Sequence, residues 1–414
     1  MKFYEIPGGI TAAAGFLANA VECGIKDPAK KRLDLALIYS QRPTHCAATF
    51  TTNQMKAAPV RLCQKHLRGK NVRAMVLNSG NANACTGPRG MEDARRMTSA
   101  VAAALKLNPE QVLVGSTGII GLPLPMERIE PRMRDLARGL ARSKNDLVAK
   151  AIMTSDTRPK SIAVEIPMGS KKVRIGAVAK GAGMICPNMA TMLCCITTDA
   201  KIAPDDLKQA TYVAVDRSFN RITIDGDTST NDTVVVMANG ASSQRNLVPK
   251  SPSMKVFCEA LDYVMLQMAK AIVRDGERVT KFVEVKVEGA VNHMDARKVA
   301  ETVANSLLVK CSWNGGDPNW GRVMHAIGYS GAKVQEDMVD IYFSGVLAAQ
   351  NGLAAPETPL EKLRAAVAQR EFTLSINLNR GRGEYVVYTS DLSQQYVDFN
   401  RSEYAVPSDA VKTT

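Results

Sequence analysis

The chain has 414 residues, of which 45% are hydrophobic, and carries a formal net charge of +13. Its length allows a large buried core but exceeds the usual range of one domain, so two lobes are expected, and no apolar stretch is long enough to span a bilayer. The basic residues occur in short clusters without interleaved aromatic residues, so a solvated basic face or attraction for carboxylate substrates explains the charge more simply than nucleic-acid binding.

Short apolar and β-branched runs alternate with segments of helical period in the first half of the chain. Buried strands are predicted at residues 34–40, 73–78 and 111–115, and helices at 92–107 and 129–140. Two further strands, at 161–167 and 172–178, predict a hairpin closed at Gly169-Ser170, because such residues favour the backbone of a tight turn.

The same alternation continues in the second half of the chain. A strand is predicted up to residue 198, with further strands at 221–224, 233–237, 281–287, 339–343, 371–378 and 384–390. Helices are predicted at 204–217 and 253–274, the second with Ser253 as its N-cap, and two shorter helices lie among the last strands. The mixture of antiparallel hairpins and helices favours an α+β fold over a doubly wound parallel sheet.

The cysteine and histidine residues show no pattern typical of a metal site or of a disulfide framework. The nine cysteines are scattered without a CxxC pair, and the four histidines are far apart in the sequence. We therefore expect reduced, mostly buried thiols and no bound metal. Because no secretory leader is expected either, the sequence indicates a cytoplasmic protein.

Residues 180–198, KGAGMICPNMATMLCCITT, constrain function more than any other stretch. A Gly-Ala-Gly turn and a Pro-Asn pair precede a buried, β-prone run, and Thr191 places a hydroxyl at the start of that run. Its Oγ could attack the carbonyl of Ala190, which would cut the chain and leave Thr191 with a free α-amine as a built-in general base. The alternative from these residues alone is an ordinary loop before a core strand, with Thr191 as a cap or turn residue.

Residues 180–193 resemble the self-cleavage segment of the ornithine acetyltransferase family, also called bifunctional glutamate N-acetyltransferase/amino-acid acetyltransferase. The resemblance extends nearly from end to end of the chain. Further motifs that resemble the family, in the family's order, are GGITAAAGF (8–16), NSGNANACTG (78–87), STGIIG (116–121), IMTSDT (152–157), DGDTSTND (225–232) and GGDPNWGR (315–322).

The resemblance implies a layered α/β sandwich with mixed sheets, similar to the N-terminal-nucleophile enzymes. It also implies scission between Ala190 and Thr191 into an α chain, residues 1–190 with the oxyanion hole, and a β chain, residues 191–414 with the nucleophile. Two such αβ pairs are the expected assembly. The implied reaction moves an acetyl group from N2-acetylornithine to glutamate through an acetyl-Thr191 intermediate and needs no cofactor.

The resemblance also assigns the residues of the site. Thr191 is the expected nucleophile, and Thr117 and Gly118 are the expected donors of the oxyanion hole. The expected substrate-binding residues are Thr154, Lys180, Thr191, Glu277 and Asn400. Taken singly, each has a simpler interpretation: a surface lysine for Lys180, a helix-end residue for Glu277 and a turn former for Asn400.

Two features depart from the family pattern. Arg278 replaces a glycine beside the binding Glu277, which changes a loop or adds charge near the substrate. The chain also continues beyond Asn400 into a tail where the family's terminal hydroxyl contact has no assigned counterpart, and Ser402 is not assigned to that role. We expect residues 405–414 to be disordered.

Two alternatives stay open at the level of the sequence. A strict ornithine acetyltransferase is not distinguished from a bifunctional enzyme that also takes acetyl-CoA, because no glycine-rich phosphate cradle can be singled out. A self-cleaving aminopeptidase of the related fold, in which water replaces the acceptor amine, is the second alternative, and Lys180 and Glu277 argue against it. Neither a nucleic acid nor a membrane is expected as a partner.

Overall fold

The computed structural model describes residues 2–69, 71–186, 192–242 and 244–402, which fold into two compact units. Unit 1 comprises Met1–Asn220 and Asp227–Ile272, and unit 2 comprises Arg221–Gly226 and Val273–Thr414. The expected scission position, between residues 190 and 191, lies outside the described residues and within the sequence of unit 1. The division into chains 1–190 and 191–414 therefore does not coincide with the compact units, and it stays a prediction.

Within the described residues, unit 1 is built around a nine-stranded mixed sheet. Its strands β1 to β9 are, in chain order, Tyr4–Glu5, Phe16–Glu22, Leu33–Phe50, Val72–Asn78, Val112–Ser116, Lys160–Met168, Lys171–Lys180, Leu193–Thr198 and Thr233–Ala238. The order across the sheet is β1-β6-β7-β8-β9-β3-β4-β5, with β2 paired to β3. Because only the β4–β5 and β8–β9 pairs are parallel, the expected mixed sheet and α+β character are confirmed.

The long strand β3 joins two parts of this sheet. Its first half pairs with β2 and β4, and its second half pairs with β9. All residues of β8 and β9 are buried, as is typical of strands covered on both faces. The helices α1 to α7 are Ala58–His66, Gly87–Leu105, Met126–Ile129, Met133–Arg138, Asn145–Ala151, Pro204–Asp216 and Pro252–Arg274, and the last two residues of α7 belong to unit 2.

Unit 2 contains a six-stranded sheet in its described residues, ordered β13-β12-β11-β14-β10-β15. The strands β10 to β15 are Phe282–Ala290, Asp340–Phe343, Val346–Gln350, Leu353–Ala354, Glu371–Asn377 and Gly383–Ser390. The helices α8 to α12 are His293–Asn305, Leu307–Asn314, Trp320–Gly328, Leu360–Ala368 and Gln394–Ser402. The alternate residues Val283, Val285 and Val287 of β10 are fully buried in the core of this unit, as the period of two along a strand requires.

Most predicted elements are confirmed to within a few residues, but the strand at 221–224 is wrong. Phe219–Arg221 is a 3-10 turn, and Ile222 makes only an isolated bridge to Tyr388. Ile222 and Ile224 are nevertheless buried. The alternation of the apolar residues Ile222 and Ile224 therefore reflects burial in a core and not pairing within a β-sheet.

One capping prediction is also wrong, and one alternative interpretation does not apply. Pro252 starts α7, and the Ser251 hydroxyl accepts a hydrogen bond from the Met254 N–H at 3.1 Å, so the N-cap is Ser251 and not Ser253. Asn400 lies in α12 and not in a turn.

No helix in the four described ranges is long and apolar enough to cross a membrane. The same ranges contain no group of three or more His, Cys, Asp or Glu side chains that could hold a metal ion.

All nine cysteines lie within these ranges and are free thiols. Burial raises the pKa of the Cys195 thiol to about 12, which keeps this sulfur protonated and unreactive at neutral pH. Residues 405–414, where disorder is predicted, lie outside the described part of the chain.

Candidate active site

Two of the predicted site residues lie where the parallel strands β4 and β5 end side by side. Asn78 is paired with Ser116 in this register, and the Ser116 hydroxyl donates to Asn78 Oδ1 at 2.6 Å. The Thr117 N–H donates to the Asn78 carbonyl at 3.1 Å. The loop that begins with Thr117 and Gly118 is therefore held against the loop that follows β4.

Gly118 occupies a position that only glycine can fill. Its φ is +135°, which lies in the region disfavoured for L-residues. An added Cβ would lie 2.3 Å from the carbonyl carbon of Gly80 and 2.4 Å from the nitrogen of Asn81, both of which are backbone atoms. The close approach of these two loops thus depends on the missing side chain.

Lys180 is the last residue of β7 and brings two other predicted residues to one point. Its side chain is buried, with the residue only 3% exposed. The Nζ atom donates to the Thr154 hydroxyl at 2.7 Å and to the Thr117 hydroxyl at 3.2 Å. Three of the residues predicted to act on substrate therefore meet around one buried ammonium group, which can attract a carboxylate or a carbonyl oxygen.

Asp156 offsets the positive charge at this point. Its carboxylate accepts a hydrogen bond from Lys160 Nζ at 2.6 Å and from the Gly181 N–H at 2.8 Å. Burial alone would raise the pKa of Asp156, but the charges of Lys180 and Lys160 and the Gly181 N–H outweigh it and hold the pKa below its ordinary range. The carboxylate is therefore ionised at neutral pH, and it keeps the buried lysines from being uncompensated charges.

The expected nucleophile Thr191 and the expected scission partner Ala190 lie outside the described residues. The described residues resume at Met192, directly after Thr191, and Lys180 stands opposite Leu193 in the β7–β8 pair. The N–H of Met192 donates to Asp232 Oδ1 at 3.0 Å. Lys180 therefore lies in β7, and β7 pairs with β8, the strand that begins just after Thr191.

Two other predicted residues lie in unit 2 and contact each other. The side-chain amide of Asn400 donates to Glu277 Oε2 at 3.1 Å and to the Tyr396 carbonyl at 3.0 Å. Glu277 is mostly buried. This contact fixes one carboxylate oxygen of Glu277 and leaves a negatively charged group suited to an ammonium ion.

Arg278, where the resemblance predicts a glycine, has a φ of +56°. This left-handed conformation favours glycine, which explains why the family's residue fits there. The Arg278 guanidinium lies over the Phe399 ring, 4.9 Å from its centroid, and the Arg278 carbonyl accepts from the Ser393 hydroxyl at 2.7 Å. In this chain the arginine therefore adds a contact to the helix that carries Asn400.

The motifs predicted from the sequence contain Asp156 and Asp232 but gave these residues no role, and Lys160 lies outside all of them. The predicted hairpin contained the missing signal. Its register pairs Lys160 with Ala179, so residues just before β6 lie beside the end of β7. For Asp232, the signal is a carboxylate directly before a fully buried strand, where an acidic side chain is unexpected.

Comparison with known proteins gives consistent similarities. The ArgJ family model matches residues 17–405. An arginine biosynthesis bifunctional protein ArgJ from Geobacter sulfurreducens is 49% identical over 386 residues, covering 93% of this chain and 98% of that protein. A glutamate N-acetyltransferase from Methanocaldococcus jannaschii is 43% identical over 410 residues, covering 96% and 99% of the two chains. A crystal structure of ornithine acetyltransferase complexed with ornithine, from Mycobacterium tuberculosis, has 39% identity, covers 46% of this chain and 100% of that chain, and gives a TM-score of 0.42.

Proposed function

The chain belongs to the ArgJ family of acyltransferases of arginine biosynthesis, and from that premise we propose that it transfers acetyl from N2-acetylornithine to glutamate. The products are ornithine and N-acetylglutamate. The observation that carries this proposal is the cluster of Lys180, Thr117 and Thr154 beside the strand that follows Thr191. A buried cation with adjacent hydroxyl groups is suited to a substrate that carries a carboxylate and an acyl carbonyl.

The proposed nucleophile is Thr191, exposed by scission of the Ala190–Thr191 bond. An α-amine has an ordinary pKa of roughly 7.7 to 8.0, so it can accept and return a proton near neutral pH. Thr191 Oγ attacks the acetyl carbon of the donor while the amine takes the hydroxyl proton. The proton then passes to the departing ornithine nitrogen, and acetyl stays on Oγ as an ester. The glutamate amine removes it by the reverse sequence.

Thr117 and Gly118 are the proposed donors to the oxyanion that forms in each half-reaction. The hydrogen bonds that hold their loop against the loop after β4 support this assignment, because an oxyanion hole works only if its donors are fixed beforehand. The contact of Lys180 with the Thr117 hydroxyl adds positive charge on the same side. Loss of one such donor typically lowers the rate by about 10²–10³-fold.

The proposed substrate-binding residues are Thr154, Lys180, Thr191, Glu277 and Asn400. Lys180 is suited to the α-carboxylate, since its ammonium group is buried and already surrounded by hydroxyl acceptors. Glu277 is suited to the ornithine side-chain ammonium, and Asn400 orients it through their hydrogen bond.

The direct test supplies N2-acetylornithine and glutamate to the purified protein and measures N-acetylglutamate by mass spectrometry. Intact mass in the presence of the donor alone should show two fragments, with the acetyl adduct on the fragment that begins at Thr191. Thr191→Ala should give a single uncut chain and no transfer. An uncut wild-type protein that transfers acetyl at full rate would exclude the amine as the base.

A second measurement separates binding from maturation. Lys180→Ala should raise the KM for N2-acetylornithine by about 10-fold or more, since a charge-assisted hydrogen bond to a carboxylate contributes about 1.5–3 kcal/mol. The matched control is the exposed Lys172→Ala at the other end of β7, whose contact with Glu165 lies away from Lys180. The assignment fails if Lys180→Ala slows scission while KM is unchanged.

Three further features belong to the same proposal. Acetyl-CoA is proposed as a second acetyl donor, because the Geobacter relative carries the name of a bifunctional protein. The enzyme is proposed to act in the cytoplasm as two αβ pairs.

The family match and the buried Lys180 favour acetyl transfer over a self-cleaving aminopeptidase. Assays with acetyl-CoA plus glutamate and with peptide amides distinguish the three activities.

A further inference from the structure

Asp391 is a buried residue of unit 2 that joins two segments of that unit and has no role in the mechanism above. It directly follows β15 and is only 2% exposed. Its Oδ1 accepts hydrogen bonds from the N–H groups of Thr280 and Lys281, each at 2.9 Å. Its Oδ2 accepts from the Thr280 hydroxyl and, at 2.7 Å, from the Asn314 side-chain amide. Both carboxylate oxygens are therefore occupied by donors from other parts of the unit.

Two of these donors end the short segment that carries Glu277. Residues 275–281 connect α7 to β10, and Glu277 lies within them. At the start of this segment, the Gly276 N–H donates to the Val273 carbonyl at 3.1 Å. At its end, Asp391 holds the N–H groups of Thr280 and Lys281. Glu277 thus lies between two anchored points, which leaves its backbone few alternative conformations.

The segment after β15 brings Asn400 to the same place. The Ser393 hydroxyl accepts from the Tyr396 N–H at 3.2 Å, which caps the start of α12. The same hydroxyl donates to the Arg278 carbonyl at 2.7 Å. Near the other end of α12, the Asn400 amide donates to Glu277 Oε2 at 3.1 Å. Helix α12 therefore contacts the Glu277 segment at both of its ends.

Lys310 fixes the chain directly before Asp391. Its buried ammonium group donates to the Thr389 hydroxyl at 2.9 Å and to the Ser390 carbonyl, which belong to the last two residues of β15. The negative charge of Asp391 also acts favourably on this ammonium group. The position of Asp391 is therefore set by β15 and Lys310, so it provides a rigid base for the segment that it holds.

We propose that Asp391 is a positioning residue for Glu277 and Asn400 and thereby sets the selectivity for a donor with a side-chain ammonium group. This inference rests on the proposed binding of the ornithine ammonium by Glu277. Asp391 acts without touching substrate, because it holds the Glu277 segment against the residues that lead into α12. A carboxylate that is fixed in advance binds an ammonium ion more tightly, since less conformational freedom is lost on binding.

The test compares two acetyl donors with glutamate as the acceptor. N2-acetylornithine carries the side-chain ammonium group, and N-acetylnorleucine has a methyl group in its place. The ratio of their kcat/KM values measures the contribution of the ammonium group and does not depend on the fraction of enzyme that is folded. Glu277→Gln should lower this ratio by about 10-fold or more, as expected for loss of a charge-assisted contact.

Asp391→Asn should lower the same ratio by about 10-fold. An amide nitrogen then replaces one acceptor oxygen, so a donor at that oxygen loses its partner and the Glu277 segment is held less firmly. Thr280→Val is a milder variant, because Thr280 is exposed and loses only its hydroxyl contact with Asp391. We expect it to lower the ratio by about 3-fold, the usual effect of one hydrogen bond.

The matched control is Asp340→Asn. Asp340 is another buried aspartate of unit 2, and its carboxylate accepts from the Asn351 N–H at 2.9 Å and from the Asn379 amide at 2.8 Å. An unchanged ratio in this variant and a lowered ratio in Asp391→Asn support the proposal. A wild-type ratio in Asp391→Asn, or an equal fall in Asp340→Asn, overturns it. Thr280→Val decides in the same way if Asp391→Asn yields no folded protein.

A double variant separates positioning from general destabilisation. Because Asp391 acts through Glu277, Asp391→Asn should not lower the ratio further in a Glu277→Gln background, and a further fall there overturns the positioning role. A wild-type ratio in Glu277→Gln alone would contradict the proposed binding of the ornithine ammonium, and the inference with it. A low ratio in Glu277→Gln together with a wild-type ratio in Asp391→Asn contradicts only the role of Asp391.

Discussion

Single residues set the chemistry of this site through the contacts they force on their neighbours. Lys180 is a buried cation, and burial of a charge is unfavourable unless acceptors and opposite charge surround it. The Thr154 and Thr117 hydroxyls supply acceptors, and ionised Asp156 supplies the charge. In the proposed function, a substrate carboxylate would meet a lysine whose position is already fixed, which would lower the entropic cost of binding.

The first prediction concerns Gly118. A methyl group at this position meets backbone atoms at 2.3 and 2.4 Å and also fixes an unfavourable φ, so the loop has to move. We expect Gly118→Ala to lower the unfolding free energy by about 2–5 kcal/mol and the transfer rate by at least about 100-fold. Denaturant titration and steady-state kinetics measure the two effects.

Gly121 provides the control for that variant. Its φ is +87°, but nothing lies within 4 Å of an added Cβ. Gly121→Ala should therefore lower the unfolding free energy by only about 1–2 kcal/mol, the cost of the backbone conformation alone. Equal destabilisation by both substitutions would show that the close approach of the two loops is unimportant.

The second prediction concerns Arg278. Its left-handed backbone costs about 1–2 kcal/mol, and its stacking on Phe399 returns about 0.5–1 kcal/mol. Arg278→Gly should therefore change the unfolding free energy by less than about 1 kcal/mol. Arg278→Lys keeps the strained backbone and weakens the stacking, so it should be the less stable variant in denaturant titration. The opposite order would contradict the balance of these two terms.

At the scale of elements, the end of the β6–β7 hairpin carries the charged part of the site. The sequence pattern predicted this hairpin, because two alternating strands flank Gly169-Ser170. Asp156 and Lys160 were given no role in the sequence analysis, although the register of this hairpin brings Lys160 beside the end of β7, and the charges of Lys160 and Lys180 both act on Asp156. Helix α12 was missed because its residues are mostly polar, so no apolar stripe marks the helix that places Asn400 against Glu277.

The third prediction tests the ion pair at this hairpin by acid titration. The lowered pKa of Asp156 means that the native state binds fewer protons than the unfolded chain. Its contribution to stability is present above the ordinary aspartate pKa of about 3.9 and is lost as the pH falls below that value toward the folded-state pKa. Asp156→Asn should remove this part of the pH dependence and lower the unfolding free energy at pH 7 by about 3 kcal/mol, because the carboxylate that neutralises the buried Lys160 charge is lost.

The exposed pair of Arg132 and Asp135 is the control for that titration. Its N–O distance is 3.1 Å, but about half of each side chain is exposed to solvent. Asp135→Asn should therefore change the unfolding free energy at pH 7 by less than about 1 kcal/mol. If the Asp156 and Asp135 variants lose similar stability, burial of the first pair is not what makes it important.

At the scale of the whole molecule, the proposed scission would divide the sheet of unit 1 between two chains. Strands β8 and β9 follow residue 191, while their outer neighbours β7 and β3 precede it. The later chain would thus supply two central strands, paired on both sides with strands of the earlier chain. The Thr197 hydroxyl also donates to the Ile10 carbonyl at 2.7 Å, which would link the two chains through a buried contact.

The fourth prediction follows from this strand order. The two fragments of the wild-type protein should co-elute in size-exclusion chromatography and separate only in denaturant, because separation would expose strand edges and the buried faces of β8 and β9. Unfolding then releases two chains, so the unfolding midpoint of the cut protein should rise with protein concentration. The matched control is the uncut Thr191→Ala chain, which has the same strands. Because it unfolds to a single chain, its midpoint should lack this part of the concentration dependence. Equal concentration dependence in the two proteins would contradict the prediction, since chain connectivity would then contribute nothing to holding the sheet together.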